Sequence, residues 1–198
     1  LIRRPPRYTL VPSTTLFRSV AEKIGFPVVM KINSPDILHK SDFGGIRLGL
    51  GSRDEVKTAF LEMNAAILKK KPEARLEGVL IEAMAPKGNE VIIGMKRDPG
   101  FGPMIMFGFG GIFVELFKDV SFRIAPLTTN DAREMVLSTK AGKLLQGYRG
   151  ERAKDIDAIV DVILKLSQIA IDFREIEEIE INPLLVLEKG VLDLDGRA

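Results

Sequence analysis

The 198-residue chain has no cysteine and a single histidine, His39. Without thiols there is no disulfide, no thiolate metal site and no cysteine nucleophile, and a reducing compartment, the cytoplasm by default, is the expectation. Long apolar runs are also missing. The least polar stretch, Pro103 to Phe117, is broken by Gly108, Gly110, Gly111 and Glu115 and falls short of the roughly 20 apolar residues a membrane-crossing helix needs. Neither a GxxxxGK[ST] phosphate loop nor a GxGxxG dinucleotide fingerprint occurs. Acidic residues are absent from residues 1–19, which hold Arg3, Arg4, Arg7 and Arg18 and account for the formal charge of +2. This segment resembles one reading frame of a sequencing-library adapter, through Thr14-Thr15-Leu16-Phe17-Arg18-Ser19. With three prolines and no helical period it is expected to be an adapter-like artefact or a disordered arm. The abrupt end at Asp195-Gly196-Arg197-Ala198 reads as a fragment.

What is present suffices for a core. At 45% hydrophobic residues, the chain is long enough for one domain or two small lobes. Pro27 to Ile32 is a compact apolar run with one lysine inside it, and it predicts a buried strand; Ile46 to Leu50 predicts a second. Ser52 with Glu55 three residues on is a capping box, and Val56, Ala59, Phe60, Met63 and Ile67 come after it at helical spacing. Lys69, Lys70 and Lys71 suit the end of that helix, where cations meet the negative pole, better than a nucleic-acid patch. Strands are expected near Gly78 to Met84, Glu90 to Lys96 and Pro103 to Phe107. Helices are expected after Thr129 and along Ile156, Ile159, Val160, Ile163, Leu166 and Ala170. Consecutive strands without strict alternation with helices predict an α+β fold with antiparallel pairing.

Four places carry polar groups out of step with a core. Lys31 lies in the apolar strand, where an ammonium must either snorkel to an edge or meet an anion. His39 lies in Ser34-Pro35-Asp36-Ile37-Leu38-His39-Lys40-Ser41-Asp42-Phe43-Gly44-Gly45, too polar a loop to fill a core. Phe107 to Phe113 contains Gly108, Gly110 and Gly111, either a plain turn or a backbone open to phosphate. In Glu178-Ile179-Glu180-Ile181-Asn182-Pro183 strict alternation sets Glu180 and Asn182 on one strand face and the isoleucines on the other. If the chain returns through a two-residue loop at Glu188-Lys189, Asn182 lies opposite Asp195, with Cβ atoms about 4.5–5.5 Å apart. An amide and a carboxylate oxygen so placed suit Mg²⁺, with Asp193 as the competing ligand; acidic residues on a solvated strand face are the plain alternative.

Taken together, VMKINSPDILHKSDFGGIRLGL, EVIIGMKRDPGFGPMIMFGFGGIFVELFKDVSFRIAPL and EIEINPLLVLEKGVLDLDGR resemble the ATP-grasp domain of NDP-forming acyl-CoA synthetases. The β subunits of ADP-forming acetate–CoA ligases are the nearest match, and the β subunit of succinyl-CoA synthetase is a more distant one. The resemblance implies two lobes gripping a nucleotide, here 20–84 and 85–198, the first truncated because residues 1–19 stand where the family has a helix and a strand. It implies the reaction acyl-CoA + ADP + phosphate = acid + CoA + ATP, with ATP/ADP and Mg²⁺ bound. Lys31 then matches a phosphate contact, Glu82-Ala83-Met84 the adenine-binding hinge, Glu90 a ribose contact, Gly110 and Gly111 a phosphate loop, and Asn182 and Asp195 the metal ligands. His39 matches a histidine that relays a phosphoryl group, a role for which imidazole is both nucleophile and leaving group, and Gly44-Gly45 is a candidate hinge for its loop. With no CoA-binding fingerprint, a CoA-binding α subunit or fused CoA-binding domain is the implied partner; nucleic acid and membrane are not. The alternative is a regulatory ATP-grasp domain attached to a protein acetyltransferase.

Overall fold

The computed structural model describes residues 7–11, 14–37, 40–111 and 119–198. They form two compact units, Pro5–Pro86 and Lys87–Ala198, so the division falls after Pro86 where the sequence suggested residue 84. In the first unit, strands β1 (Arg7–Val11), β2 (Val28–Asn33), β3 (Ile46–Leu50) and β4 (Gly78–Ala83) make an antiparallel sheet in the order β1-β4-β2-β3. Helices α1 (Thr14–Ile24) and α2 (Arg53–Lys70) complete it. Alternation along β2 sends Val28, Met30 and Ile32 inward, with Val79 and Ile81 of β4, against Ala21 of α1 and Val56, Ala59, Met63 and Ile67 of α2. The expected N-cap is in place, but the reciprocal half of the box is shifted by one residue, to the amide of Gly51 instead of that of Ser52. Ser52 accepts the Glu55 amide, and the Glu55 carboxylate accepts the amide of Gly51.

Residues 7–11 and 14–19 are not the disordered arm expected from composition. Strand β1 pairs with β4 through Arg7↔Glu82, Tyr8↔Ile81 and Val11↔Val79, and α1 runs unbroken across residue 19. The free edge of β4 supplies ladder partners that composition cannot reveal. Moreover, Phe17, Val20, Ala21 and Ile24 repeat at i, i+3, i+4 and i+7, a helical stripe that a boundary at residue 19 cuts in two.

In the second unit, β5 (Asn89–Asp98), β6 (Gly102–Phe109), β7 (Val120–Ile124), β8 (Glu178–Val186), β9 (Val191–Asp193) and β10 (Gly196–Arg197) form one antiparallel sheet, ordered β10-β8-β5-β6-β7 with β9 also on β8. Three helices lie between β7 and β8 in sequence: α3 (Thr129–Leu137), α4 (Lys140–Leu145) and α5 (Ile156–Asp172). One sheet face, with Val91, Ile93, Met95, Ile105 and Phe107, is buried against Met135, Val136, Leu145, Ile159, Ile163 and Leu166 of these helices. The end of α5 is closed from the sheet: Arg97 Nη2 donates to the carbonyls of Ala170 (3.0 Å), Phe173 (3.3 Å) and Ile176 (3.3 Å), satisfying acceptors that a helix end leaves open. No helix among the described residues is long and apolar enough to cross a membrane.

A bulge in β8 sets the facing of the strand's second half. Val91 pairs with Leu184 but Ile93 pairs with Ile181, so β8 carries one more residue than β5 there, at Asn182-Pro183. An extra residue reverses the facing of everything beyond it. Ile179 and Ile181 pack on the core before it, and Leu184 and Val186 after it.

Candidate functional site

The second unit gathers five of the residues singled out in the sequence. The chain returns from β8 through Glu188-Lys189, with Leu187 N donating to Gly190 O at 3.1 Å, and the register is the one expected: Asn182 N donates to Asp195 O at 2.8 Å, and Leu194 N to Pro183 O at 3.1 Å. Asp195 therefore lies opposite Asn182. Asp193, the competing candidate, is 3% exposed opposite the core residue Leu184, because the bulge separates the facing of positions 182 and 184.

The glycine turn meets this strand pair. The β5–β6 ladder continues to Gly110, whose amide donates to Glu90 O at 3.0 Å. A Cβ at Gly110 would stand 2.6 Å from the Val91 backbone, and one at Gly111, where φ is +59°, would run into the Glu90 carboxylate. Only glycine fits either place. Gly111 N then donates to Asn182 Oδ1 at 2.9 Å. Glu90, Gly110, Gly111, Asn182 and Asp195 thus adjoin on neighbouring strands and their connections, joined by contacts within one unit.

The sequence reading missed one member of this group. Arg197 sits directly across from Glu180, and its Nη2 lies 2.9 Å from Glu180 Oε2; that contact raises the guanidinium's pKa above its ordinary value. The other carboxylate oxygen, Oε1, faces Asn182 Nδ2 at 3.4 Å. The register that placed Asp195 opposite Asn182 places Arg197 opposite Glu180, so the signal was available.

The oxygen donors suit a hard cation. Asn182 Oδ1 has a second lone pair beyond its bond to Gly111, and a facing aspartate adds a charged oxygen. Among the described residues no group of three or more His, Cys, Asp or Glu is placed to hold a metal ion, so the seat has few protein ligands of its own. Residues Asn182 and Asp195 fit Mg²⁺, which keeps waters and takes oxygens from phosphate.

In the first unit Lys31 neither snorkels nor stands alone. Its Nζ is 2.8 Å from Glu82 Oε2, with side chains 13% and 2% exposed, on the sheet face opposite the helices. Burial of the charge is tolerated because it is paired. At the expected hinge, Met84 N donates to Pro27 O at 3.2 Å, so that amide is engaged in extending the β2–β4 ladder past Ala83.

His39, with Leu38, lies outside the described residues, but both shoulders of its loop are described. Asp36 accepts from Arg75 N at 2.8 Å and Nε at 3.2 Å, and its backbone oxygen from Lys71 Nζ at 3.0 Å. These bonds, the Arg75 side chain first, hold the Asp36 carboxyl below its ordinary pKa. On the far side Lys70 Nζ donates to Asp42 O at 2.8 Å. Lys70 and Lys71 therefore tie down the loop as well as closing α2. Gly45 is held on both sides in this conformation: its amide donates to Lys40 O at 2.7 Å, its oxygen accepts from Ile32 N at 2.8 Å, and a Cβ there would press on Ile32 Cγ2 at 2.5 Å.

Comparison with known proteins assigns the family. The profile of the ATP-grasp domain matches residues 5–198. The ADP-forming acetate–CoA ligase I of Archaeoglobus fulgidus is 51% identical over 180 residues, 91% of this chain and 26% of that protein. The β subunit of ADP-forming acetate–CoA ligase I of Pyrococcus furiosus is 49% identical over 175 residues, 88% of this chain and 75% of the subunit. The chain thus spans about a quarter of the single-chain ligase and three quarters of the separate subunit. Among solved structures, the dinucleotide-forming acetyl-coenzyme A synthetase 1 of Ca. Korarchaeum cryptofilum, in complex with coenzyme A and Ca-AMPCP, superposes with a TM-score of 0.91 at 44% identity, covering 98% of this chain and 85% of that one. A second crystal of that enzyme, with coenzyme A and Mg-AMPPCP, has its phosphohistidine segment pointing towards the nucleotide binding site; there the TM-score is 0.80 at 42% identity, with 99% and 84% covered. With its family profile, its half-identical relatives and its fold in agreement, the chain belongs to the ATP-grasp domains of the ADP-forming acyl-CoA synthetases.

Proposed function

We propose that this chain is the nucleotide-binding, phosphoryl-transferring part of an ADP-forming acyl-CoA synthetase, which with a CoA-binding α subunit or fused domain interconverts acyl-CoA, ADP and phosphate with acid, CoA and ATP. One observation carries the proposal: Glu90, Gly111, Asn182 and Asp195, spread over more than half the chain, adjoin on neighbouring strands and their connections. Glu90 takes the ribose, the Gly110-Gly111 backbone approaches the phosphates, and Asn182 and Asp195 hold Mg²⁺. When bound, that cation neutralises phosphate charge. The Lys31 ammonium, a compact charge with three donor protons, adds its own attraction for phosphate while Glu82 holds it in place. Ala83 and Met84 lie at the adenine edge.

His39 carries the phosphoryl group. Its neutral imidazole nitrogen forms an N–P bond as the bond from phosphorus to the donor group on the CoA-binding partner breaks, and that group leaves with the bonding electron pair. A terminal oxygen of ADP then attacks phosphorus, the N–P bond breaks, and the imidazole returns to its starting state. A solved relative has a phosphohistidine segment pointing towards its nucleotide binding site, which supports a phosphohistidine route to the nucleotide.

The test combines the purified chain with a CoA-binding subunit, acyl-CoA, phosphate, Mg²⁺ and ADP, and monitors ATP. His39→Ala is expected to abolish ATP formation and leave the ADP dissociation constant within about twofold. ATP formation surviving in His39→Ala would overturn the relay. ADP failing to bind the wild type would overturn the nucleotide role.

A further inference from the structure

The turn after α4, Gly147-Tyr148-Arg149-Gly150, holds none of the residues assigned to nucleotide, cation or phosphoryl group, yet its backbone is strained. Gly147, Arg149 and Gly150 have φ of +96°, +50° and +89°, and Arg149 is the one non-glycine residue at positive φ among the described residues. An arginine in the left-handed region costs energy that glycine there would not, so the use of this residue lies in its side chain. The turn projects from a fixed foot. Gly147 N donates to Leu144 O at 3.0 Å, Glu151 N to Tyr148 O at 3.1 Å and Lys154 N to Leu145 O at 2.7 Å. Arg152 Nη1 pairs with Glu188 Oε2 at 3.1 Å, and Asp155 N donates to Leu187 O at 2.9 Å, which ties the foot to the turn between β8 and β9.

At the tip the Arg149 guanidinium stands over the Tyr148 ring, 5.3 Å from its centroid. Tyr148 is 54% exposed and Arg149 is exposed beside it. Among the described residues no carboxylate pairs with Arg149. Open space lies beyond, with nothing within 4 Å of where a Cβ would stand at Gly150. Tyrosine and arginine are the residue types on which protein–protein affinity concentrates. Stacking orders both side chains in advance, which lowers the cost of ordering them in a contact. The surrounding charge names the partner's chemistry: residues 140–154 hold Lys140, Lys143, Arg149, Arg152 and Lys154 against Glu151 alone. We propose that this turn is a docking knuckle for a carboxylate-bearing surface of the CoA-binding subunit or domain, with Tyr148 packed in the contact and Arg149 paired there to an acid. That partner is the one the proposed reaction requires, and the knuckle lies in the same unit as Asn182 and Asp195. The inference rests on the reading that such a partner completes the reaction.

Calorimetric titration of the whole chain with a purified CoA-binding subunit is the test, with a melting curve for each variant. Arg149→Gly removes the side chain at a position where glycine is unstrained, so it should melt at or above wild type and yet bind the subunit about tenfold or more weakly. Tyr148→Ala should weaken binding to a similar extent. Arg149→Lys, which keeps the charge and loses the planar fork, should fall between. ADP affinity should stay at the wild-type value in all three. Subunit binding unaltered in both Arg149→Gly and Tyr148→Ala would overturn the docking role and leave the partner reading standing; a wild type that binds no CoA-binding subunit would overturn both. Sedimentation velocity supplies the last arm. If wild type self-associates and Arg149→Gly does not, with subunit binding unaltered, the knuckle serves a second copy of this chain and the proposal fails.

Discussion

Each unit carries a close acid–base pair on the sheet face turned away from its helices, Lys31–Glu82 in the first and Glu180–Arg197 in the second, and the two live in different surroundings. Lys31 and Glu82 are nearly dry, while Glu180 and Arg197 are partly bathed in water. The distances, 2.8 and 2.9 Å, are almost the same. Solvent decides their worth. A buried pair is costly to break because the partner left behind keeps an uncompensated charge, whereas a wet pair can be opened at little cost. The dry pair fixes the first sheet; the wet pair adds little to the stability of the second.

The sharpest way to break this contrast is Glu82→Gln. It leaves the Lys31 ammonium without its carboxylate and should destabilise the first unit by about 3 kcal/mol, the low end for a buried pair because Lys31 keeps some solvent contact; hydrogen exchange of β2 and β4 amides reads the loss. The double variant Lys31→Met/Glu82→Leu should recover most of it. Arg197→Gln should move β8 exchange by less than about 1 kcal/mol.

A smaller effect is expected from Gly111→Ala. The added methyl meets the Glu90 carboxylate at a left-handed backbone position, with strain of about 1–3 kcal/mol. Nucleotide affinity should fall while the exchange rates of the first unit stay unchanged, which calorimetric ADP titration and exchange together would show. The smallest is electrostatic. Asp36 is held below its ordinary value of 3.8, chiefly by the Arg75 side chain, so the folded state favours its ionised form. That contribution is complete above the ordinary value and disappears as pH falls through the lower folded one. Arg75→Ala should therefore melt slightly below wild type at neutral pH and coincide with it in strong acid; a gap that persists at low pH would assign the effect to packing.

The pairing of Asn182 with Asp195 was legible in the sequence because a two-residue turn fixes register, and register fixes every opposite pair down the ladder. The same logic contained Arg197, which went unread only because arginine is not sought as a ligand. Asp193 misled because strict alternation was carried across a bulge, and the bulge is visible only against β5, some ninety residues away in the chain. The α2 cap and the core stripes of α2 and α5 were local patterns and were legible as such. Strand β1 was not, because its partner is the edge of β4, and neither were the ties from Lys70, Lys71 and Arg75 to the histidine loop, which depend on where the end of α2 lies in space.

Where β8 gains its extra residue, Asn182 is excused from the work of filling the interior that its neighbours on either side perform. Asparagine is a poor strand former, and mid-sheet it would ordinarily be selected against. At a position with no packing duty that weakness costs little, and the side chain can be chosen for its carboxamide alone.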